Sequence, residues 1–340
     1  MNQIRAILLR TALVLNTLTV LVGGATVAGL AIWRHGKLVK LDARSILVST
    51  KAGAVEYAVQ GDGATVLVLH GGFGGFDQGL LYLPGLAESG CRILAPSRPG
   101  YLRTPLVTGR TNEEQASAMA ALLDTLGVGQ VAVVGISAGG PVALQFALRH
   151  PERTEALILA CAITQRTASE LPPWSSPARW GLYCGPLADL GSWRGERSVR
   201  NTTRQAVGFA IRSFSLAPRD ERNRLVEAVL ADPVQRALFD QLAESTMPMS
   251  ARLAGLRNDY RQITTLGEIP FEQIAVPTLI VHGTADRAVP FDHAQFAAAR
   301  IPQATLCRLE EGDHLLMLGP QSAVIRRAVV DFLHAHLKNH

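Results

Sequence analysis

Hydrophobic and polar positions along the chain alternate between two periods. Short runs rich in β-branched residues, apolar at nearly every position, recur at Thr65–His70, Cys91–Ser97, Val131–Gly135, Glu155–Ala162, Pro277–Gly283 and Ala304–Gly312. Strands that are apolar on both faces belong to a parallel sheet buried between helices. Two runs before them, Ser45–Thr50 and Ala54–Val59, read as an antiparallel opening pair. Between the strands, apolar residues at three- and four-residue spacing predict helices over Thr111–Leu126, Ser137–His150, Asp292–Ile301 and Gln321 to about Leu337. This alternation predicts an α/β fold with a doubly wound, mostly parallel sheet. One interval, 165–274, has no clear strand but carries Pro172-Pro173, Trp174, Trp180, Trp193 and several helix-like stretches. It is too long for a plain loop and reads as an inserted helical cap. The core is then 45–164 together with 275–340.

The N-terminal 44 residues differ from the rest. Thr11 to Trp33 is an uncharged, apolar run that as a helix would extend roughly 34 Å, against about 30 Å for a bilayer core. Trp33 with Arg34, Lys37 and Lys40 resembles an interfacial anchor. Residues 11–33 are therefore expected to form an apolar N-terminal helix serving as a single-pass membrane anchor. The competing expectation is an exported protein whose signal peptide is cleaved near Gly23-Gly24-Ala25. Charge agrees with a specialised end: Arg5, Arg10, Arg34, Lys37, Lys40 and Arg44 face only Asp42, and the remaining residues hold 27 basic and 27 acidic side chains. A basic balance confined to one end argues against a nucleic-acid partner.

The chemistry centres on "GISAGG". Ser137 lies between an apolar strand and a helix and is flanked by Gly135 and Gly139. A serine hydroxyl needs a base, an orienting acid and an oxyanion site before it can attack. The small residues allow the sharp strand-to-helix turn that lifts the hydroxyl above the strand ends. "LIVHGTADRAVP" offers Asp286 after one strand, and "RLEEGDHLLML" offers His314 after the next. Both lie at the C-terminal ends where open α/β sheets place their sites. Asp313 adjoins His314 and is expected to face solvent. The glycine-rich "HGGFGGF" (His70–Phe76) can turn backbone N–H groups into the site, giving Gly72 or Phe73 as one oxyanion donor and Ala138 as the other. His70 and His282 read as turn-packing residues. Cys91, Cys161, Cys184 and Cys307 show no paired spacing and read mainly as buried free thiols, and nothing suggests a metal or another cofactor.

Together "HGGFGG", "GISAGG", "HGTADRAVP" and "GDH" resemble the α/β-hydrolase superfamily from about Ser45 to His340. "APSRPGYLRTP" resembles the family's loop after the fourth strand, with Ser97 where an aspartate usually stands. The resemblance implies a Ser137–Asp286–His314 triad, a cap between the sixth and seventh strands, no cofactor, and an acyl-enzyme route on a small-molecule or lipid-like carboxylic ester. A carbon–carbon bond hydrolase, an amidase or an acyltransferase would use the same triad, and a non-catalytic binding protein could keep the fold.

Overall fold

The computed structural model describes the backbone of residues 2–83, 85–167, 184–199 and 204–337 and, among these, the side chains of all but 2–12, 14, 15, 18 and 197–199. Eight strands form one sheet in the order β1-β2-β4-β3-β5-β6-β7-β8. They are β1 (Ile46–Thr50), β2 (Gly53–Gln60), β3 (Ala64–Leu69), β4 (Cys91–Pro96), β5 (Val131–Ile136), β6 (Thr154–Ala160), β7 (Thr278–Gly283) and β8 (Ala304–Leu309). β1 pairs antiparallel with β2, and β2 antiparallel with β4. Every pairing from β4 through β8 is parallel.

The apolar runs of β3 to β7 are buried on both faces, whereas the edge strand β8 exposes Thr305 and Arg308 and buries only Leu309. Val66, Val68, Ala132, Val134, Ile158 and Ala160 enter one core cluster. Their alternating neighbours Leu67, Leu69, Val131, Val133, Leu157 and Leu159 enter the other. The period of two along each strand divides each run between the two helical layers.

The helices are α1 (Asn2–Asp42), α2 (Phe76–Leu81), α3 (Asn112–Thr125), α4 (Gly140–Arg149), α5 (Gly185–Val199), α6 (Arg204–Phe214), α7 (Arg219–Ala231), α8 (Pro233–Glu244), α9 (Leu253–Thr264), α10 (Asp292–Ala298) and α11 (Ser322–His336). α3 starts at a full capping box: the Thr111 hydroxyl accepts from Glu114 N–H, and the Glu114 carboxylate accepts from Thr111 N–H. α4 begins three residues later than the sequence pattern suggests, because Ser137–Gly139 form a separate 3₁₀ turn. Between β6 and β7 lie α5 to α9, a helical insertion over the strand ends. Trp174, Trp180 and the Pro172-Pro173 pair fall outside the described residues.

Buried ion pairs tie this insertion to the core. Arg98, fully buried, gives two hydrogen bonds to Asp259 of α9, at 2.9 and 2.6 Å. Arg252 does the same to Asp77 of α2, at 3.1 and 2.8 Å. Gly255 packs against Tyr101 so closely that a Cβ would lie 2.1 Å from the ring.

The N-terminal expectation needs correcting. Residues 11–33 do lie in one helix, but no helix among the described residues is long and apolar enough to cross a membrane, so a transmembrane helix and a membrane partner are not supported. The residues read as an interfacial anchor instead bind the protein itself. Trp33 Nε1 donates to Glu196, Arg34 pairs with Asp189 at 3.2 Å, and Lys37 pairs with Glu244 at 2.6 Å. An aromatic residue followed by cations has the same sequence signature whether its partners are lipid headgroups or carboxylates of the same chain.

Ser97, where the resemblance leads one to expect an aspartate, binds a carboxylate supplied by another strand. Ser97 Oγ donates to Glu56 Oε2 at 2.8 Å and accepts from Phe76 N–H at 3.2 Å. Glu56, fully buried on β2, also accepts from Ser45 Oγ and from the backbone and side chain of Arg103.

Candidate active site

Ser137 directly follows β5 at φ +49°, a left-handed conformation that costs a non-glycine residue energy and is held by its surroundings. Those surroundings exclude side chains on either flank. A Cβ at Gly139 would lie 2.3 Å from the Leu69 carbonyl oxygen, and one at Gly135 would lie 2.6 Å from Ala143 Cβ. The turn aims the hydroxyl at His314, whose Nε2 is 3.1 Å from Ser137 Oγ. On the far side of the ring, His314 Nδ1 is 2.7 Å from Asp286 Oδ2. The structure thus brings Ser137, Asp286 and His314 into one hydrogen-bonded chain.

Asp286 is held from several directions. Its Oδ1 accepts from Ala288 N–H at 2.8 Å and Val289 N–H at 2.9 Å. His282 Nε2 lies 3.4 Å from Oδ2 and 2.9 Å from the Val289 carbonyl oxygen, a geometry in which Nε2–H donates. Burial works to raise the Asp286 pKa, but His314 and these donors overcome it and hold it at about 2. For His314 the balance reverses: burial lowers the imidazole pKa, and Cys161 together with the adjacent Asp286 carboxylate carries it well above the ordinary 6.5. The ring also stacks on Phe214 at the end of α6, with centroids 5.6 Å apart and planes 18° from parallel.

Asp313 is not solvated as expected. It is buried, its Oδ1 accepts from Leu315 N–H at 2.8 Å, and its Oδ2 is buried without a partner among the described residues. Burial pushes its pKa up to about 6. Its carboxylate is turned to its own backbone, while Asp286 holds the imidazole.

Gly72, Phe73 and Ala138 line a cavity of about 330 Å³ that opens on Ser137 and His314. Phe73 takes a positive φ of 63°. Ile163, Phe214, Phe239, Leu242, Leu256 and Ile263 supply much of the remaining wall, mostly from the helical insertion. His70 is a structural residue: Nδ1–H donates to Gly71 O at 2.8 Å, and Nε2 accepts from Arg98 N–H at 2.9 Å. Burial first, then Arg98, lowers its pKa and keeps it neutral.

Three neighbours of the site escaped the sequence reading. His282 stands four residues before Asp286, a spacing that was visible but had been assigned only to turn packing. Tyr82 Oη lies 2.8 Å from Cys161 Sγ and donates to the His314 carbonyl at 3.3 Å, a contact between distant segments with no local signal. Cys161 follows β6 at φ +39°. Cys161, Asp286 and His314 present potential ligand atoms within 4.8 Å of one another, but those of Asp286 and His314 already bind each other.

Comparison with known proteins agrees with this geometry. Residues 64–320 match the family model described as alpha/beta hydrolase fold. The uncharacterized hydrolase YcgS of Bacillus subtilis (strain 168) is 29% identical over 291 residues, covering 84% of this chain and 97% of that protein. A 2-hydroxy-6-oxononadienedioate/2-hydroxy-6-oxononatrienedioate hydrolase of Cupriavidus pinatubonensis is 27% identical over 304 residues, covering 85% of this chain and 95% of its own. Among solved structures, an alpha/beta hydrolase fold protein from Nakamurella multipartita superimposes with a TM-score of 0.79 at 33% identity, covering 86% of this chain and 99% of that one. With its sheet order, the Ser137 turn and these relatives in agreement, the chain belongs to the alpha/beta hydrolase fold family.

Proposed function

We propose that this hydrolase cleaves uncharged carboxylic esters with apolar acyl groups through an acyl-enzyme on Ser137. The observation that carries the reading is the Ser137–His314–Asp286 chain, with spacings of 3.1 and 2.7 Å, at the floor of an apolar cavity. Ser137 Oγ attacks the acyl carbonyl carbon as His314 Nε2 takes its proton. Asp286 fixes the tautomer with Nδ1–H and stabilises the imidazolium. The N–H groups of Ala138 and of Phe73 or Gly72 receive the developing oxyanion, each such donor contributing about 3–4 kcal/mol in comparable sites. His314 then returns the proton to the leaving alcohol, and water attacks the acyl-enzyme by the same path in reverse.

The cavity wall bears on substrate class. Among the described residues lining it, the ionisable acids and bases are Asp259, Tyr260, Tyr82 and His314, and there is no lysine or arginine. Asp259 is already bonded to Arg98 and Tyr101. A substrate carboxylate would lose its hydration there without gaining a cation, which is costly. This favours a neutral ester over the dicarboxylate that the Cupriavidus enzyme is named for. That relative nonetheless supports carbon–carbon bond hydrolysis as the second reading.

A fluorophosphonate probe and a series of uncharged esters test both. Wild type should label and hydrolyse, and Ser137→Ala should do neither. A folded wild-type protein that refuses the probe would sink the serine-hydrolase reading. Faster turnover of a 2-hydroxy-6-oxo-dienoate than of any ester would replace the ester by the carbon–carbon substrate.

A further inference from the structure

The cavity wall is tied to the N-terminal helix through a buried lysine. Lys37 on α1 is only 7% exposed. Its ammonium is 2.6 Å from Glu244 Oε1 and 3.1 Å from Glu196 Oε1, so one cation joins the end of α8 to α5. Glu244 directly follows Leu242 and Ala243, and all three stand in the last turn of α8 just before Thr246; Leu242, Ala243 and Thr246 line the cavity. Three further contacts hold α1 to the same region. Trp33 Nε1 donates to Glu196. Arg34 pairs with the buried Asp189 and bonds Ser250 Oγ at 3.0 Å, while Asp189 accepts from Ser250 N–H at 2.8 Å. Gly29 faces the Trp193 ring, which would lie in ordinary contact, 3.4 Å, from a Cβ at that position.

We infer that Lys37 is a positioning residue for the substrate cavity: it bridges Glu196 and Glu244 and so sets the wall formed by Leu242, Ala243 and Thr246. The inference rests on the proposed ester-hydrolase reading. A buried ammonium must keep its carboxylates, since a charge left unpaired in the interior is strongly unfavourable. Holding both at once restricts how far the end of α8 can move from α5. α1 is thereby part of the architecture of the specificity pocket. Ser137 and His314 are fixed separately by β5 and the loop after β8, so loosening the wall should alter acyl selectivity more than the chemistry.

Lys37→Met in the full chain keeps the stem and removes the charge. Its kcat/KM should fall at least fivefold for an octanoyl ester, mainly through KM, and less than threefold for the acetyl ester. Lys37→Arg should restore most of the wild-type chain-length profile. Amide hydrogen exchange over 238–246 and 185–199 should accelerate in the Met variant. Exchange needs no turnover, so a wild type that hydrolyses no ester would defeat the functional reading while exchange still judged the bridge. If Lys37→Met fails to fold, Glu244→Gln, which leaves Lys37 its bond to Glu196, supplies the same readouts. An unchanged chain-length profile with unchanged exchange in a folded variant would overturn the inference.

Discussion

His314 is gripped on both edges of its ring: Asp286 Oδ2 holds Nδ1 at 2.7 Å while Nε2 stands 3.1 Å from Ser137 Oγ. The first bond fixes what the second can do. A base must be neutral to accept the serine proton, and Cys161 together with the Asp286 carboxylate raises the imidazole pKa well above 6.5 against the opposing effect of burial. The acid limb of kcat/KM should therefore lie above pH 6.5, with activity lost as pH falls through it. Asp286→Asn removes one of the two raising groups and leaves Cys161 and the burial. The limb should move to lower pH while kcat drops by about 10⁴, because Nδ1 loses the acceptor that fixes its tautomer. A pH–rate profile of both proteins measures this, and a limb that stays in place would show that the carboxylate does not set the imidazole pKa.

The site elements were legible in the sequence for a physical reason. A strand buried on both faces, a turn that excludes side chains and a helix leave local marks; Ser137 and Asp286 sit just past strands of that kind, and His314 follows the partly exposed edge strand β8. Partners supplied by distant segments left no such mark. Glu56 reaches Ser97 from 41 residues away on an antiparallel strand, and Tyr82 reaches His314 from a different loop. α1 was misleading in another way. Its tryptophan and cations have the pattern of a membrane interface, and only three-dimensional contact reveals that α5, α8 and Ser250 take those roles.

Asp313 should make the protein's stability fall with rising pH. Its carboxyl is 5% exposed, and its native pKa of about 6 stands above the ordinary 3.8. The folded state therefore binds this proton more tightly than the unfolded state. The native state is penalised progressively as pH rises from about 4 to 6, by up to about 3 kcal/mol for a shift of this size. Asp313→Asn keeps an oxygen for Leu315 N–H and removes the charge. Denaturant melts should show the variant more stable than wild type at pH 8 and equal to it at pH 4. A variant no more stable at pH 8 than at pH 4, relative to wild type, would show that the carboxylate finds a compensating partner.

Arg98 and Asp259 form a buried pair whose halves should be unequal to the whole. Arg98 is fully buried and Asp259 nearly so. Asp259→Ala would strand the guanidinium and should cost about 3–5 kcal/mol. Replacing both, as Arg98→Met with Asp259→Leu, removes the charge along with its partner and should cost less than the single change. Urea unfolding of the two variants decides the order. A double variant less stable than Asp259→Ala would mean that the bonds from Arg98 to the His70 and Gly71 carbonyls matter more than the ion pair.

Placing at position 97 the aspartate that the family resemblance leads one to expect should harm this protein. Ser97 Oγ lies 2.8 Å from Glu56 Oε2, both residues are fully buried, and Glu56 already accepts from Ser45 and Arg103. Ser97→Asp would set a second carboxylate against the first in a site where the Arg103 guanidinium is already engaged by Glu56. Two carboxylates at that separation cannot both stay ionised without cost, so one pKa must rise. A carboxyl whose folded pKa is raised penalises the native state above that pKa, and the variant should lose about 2–3 kcal/mol at pH 8 while recovering as pH falls toward 4. Glu56→Gln on the same background leaves one carboxylate for the Arg103 guanidinium and should return most of the loss. Thermal melts of the single and double variants at both pH values provide the measurement. If Ser97→Asp were as stable as wild type at pH 8, Glu56 would not be standing in for the missing carboxylate.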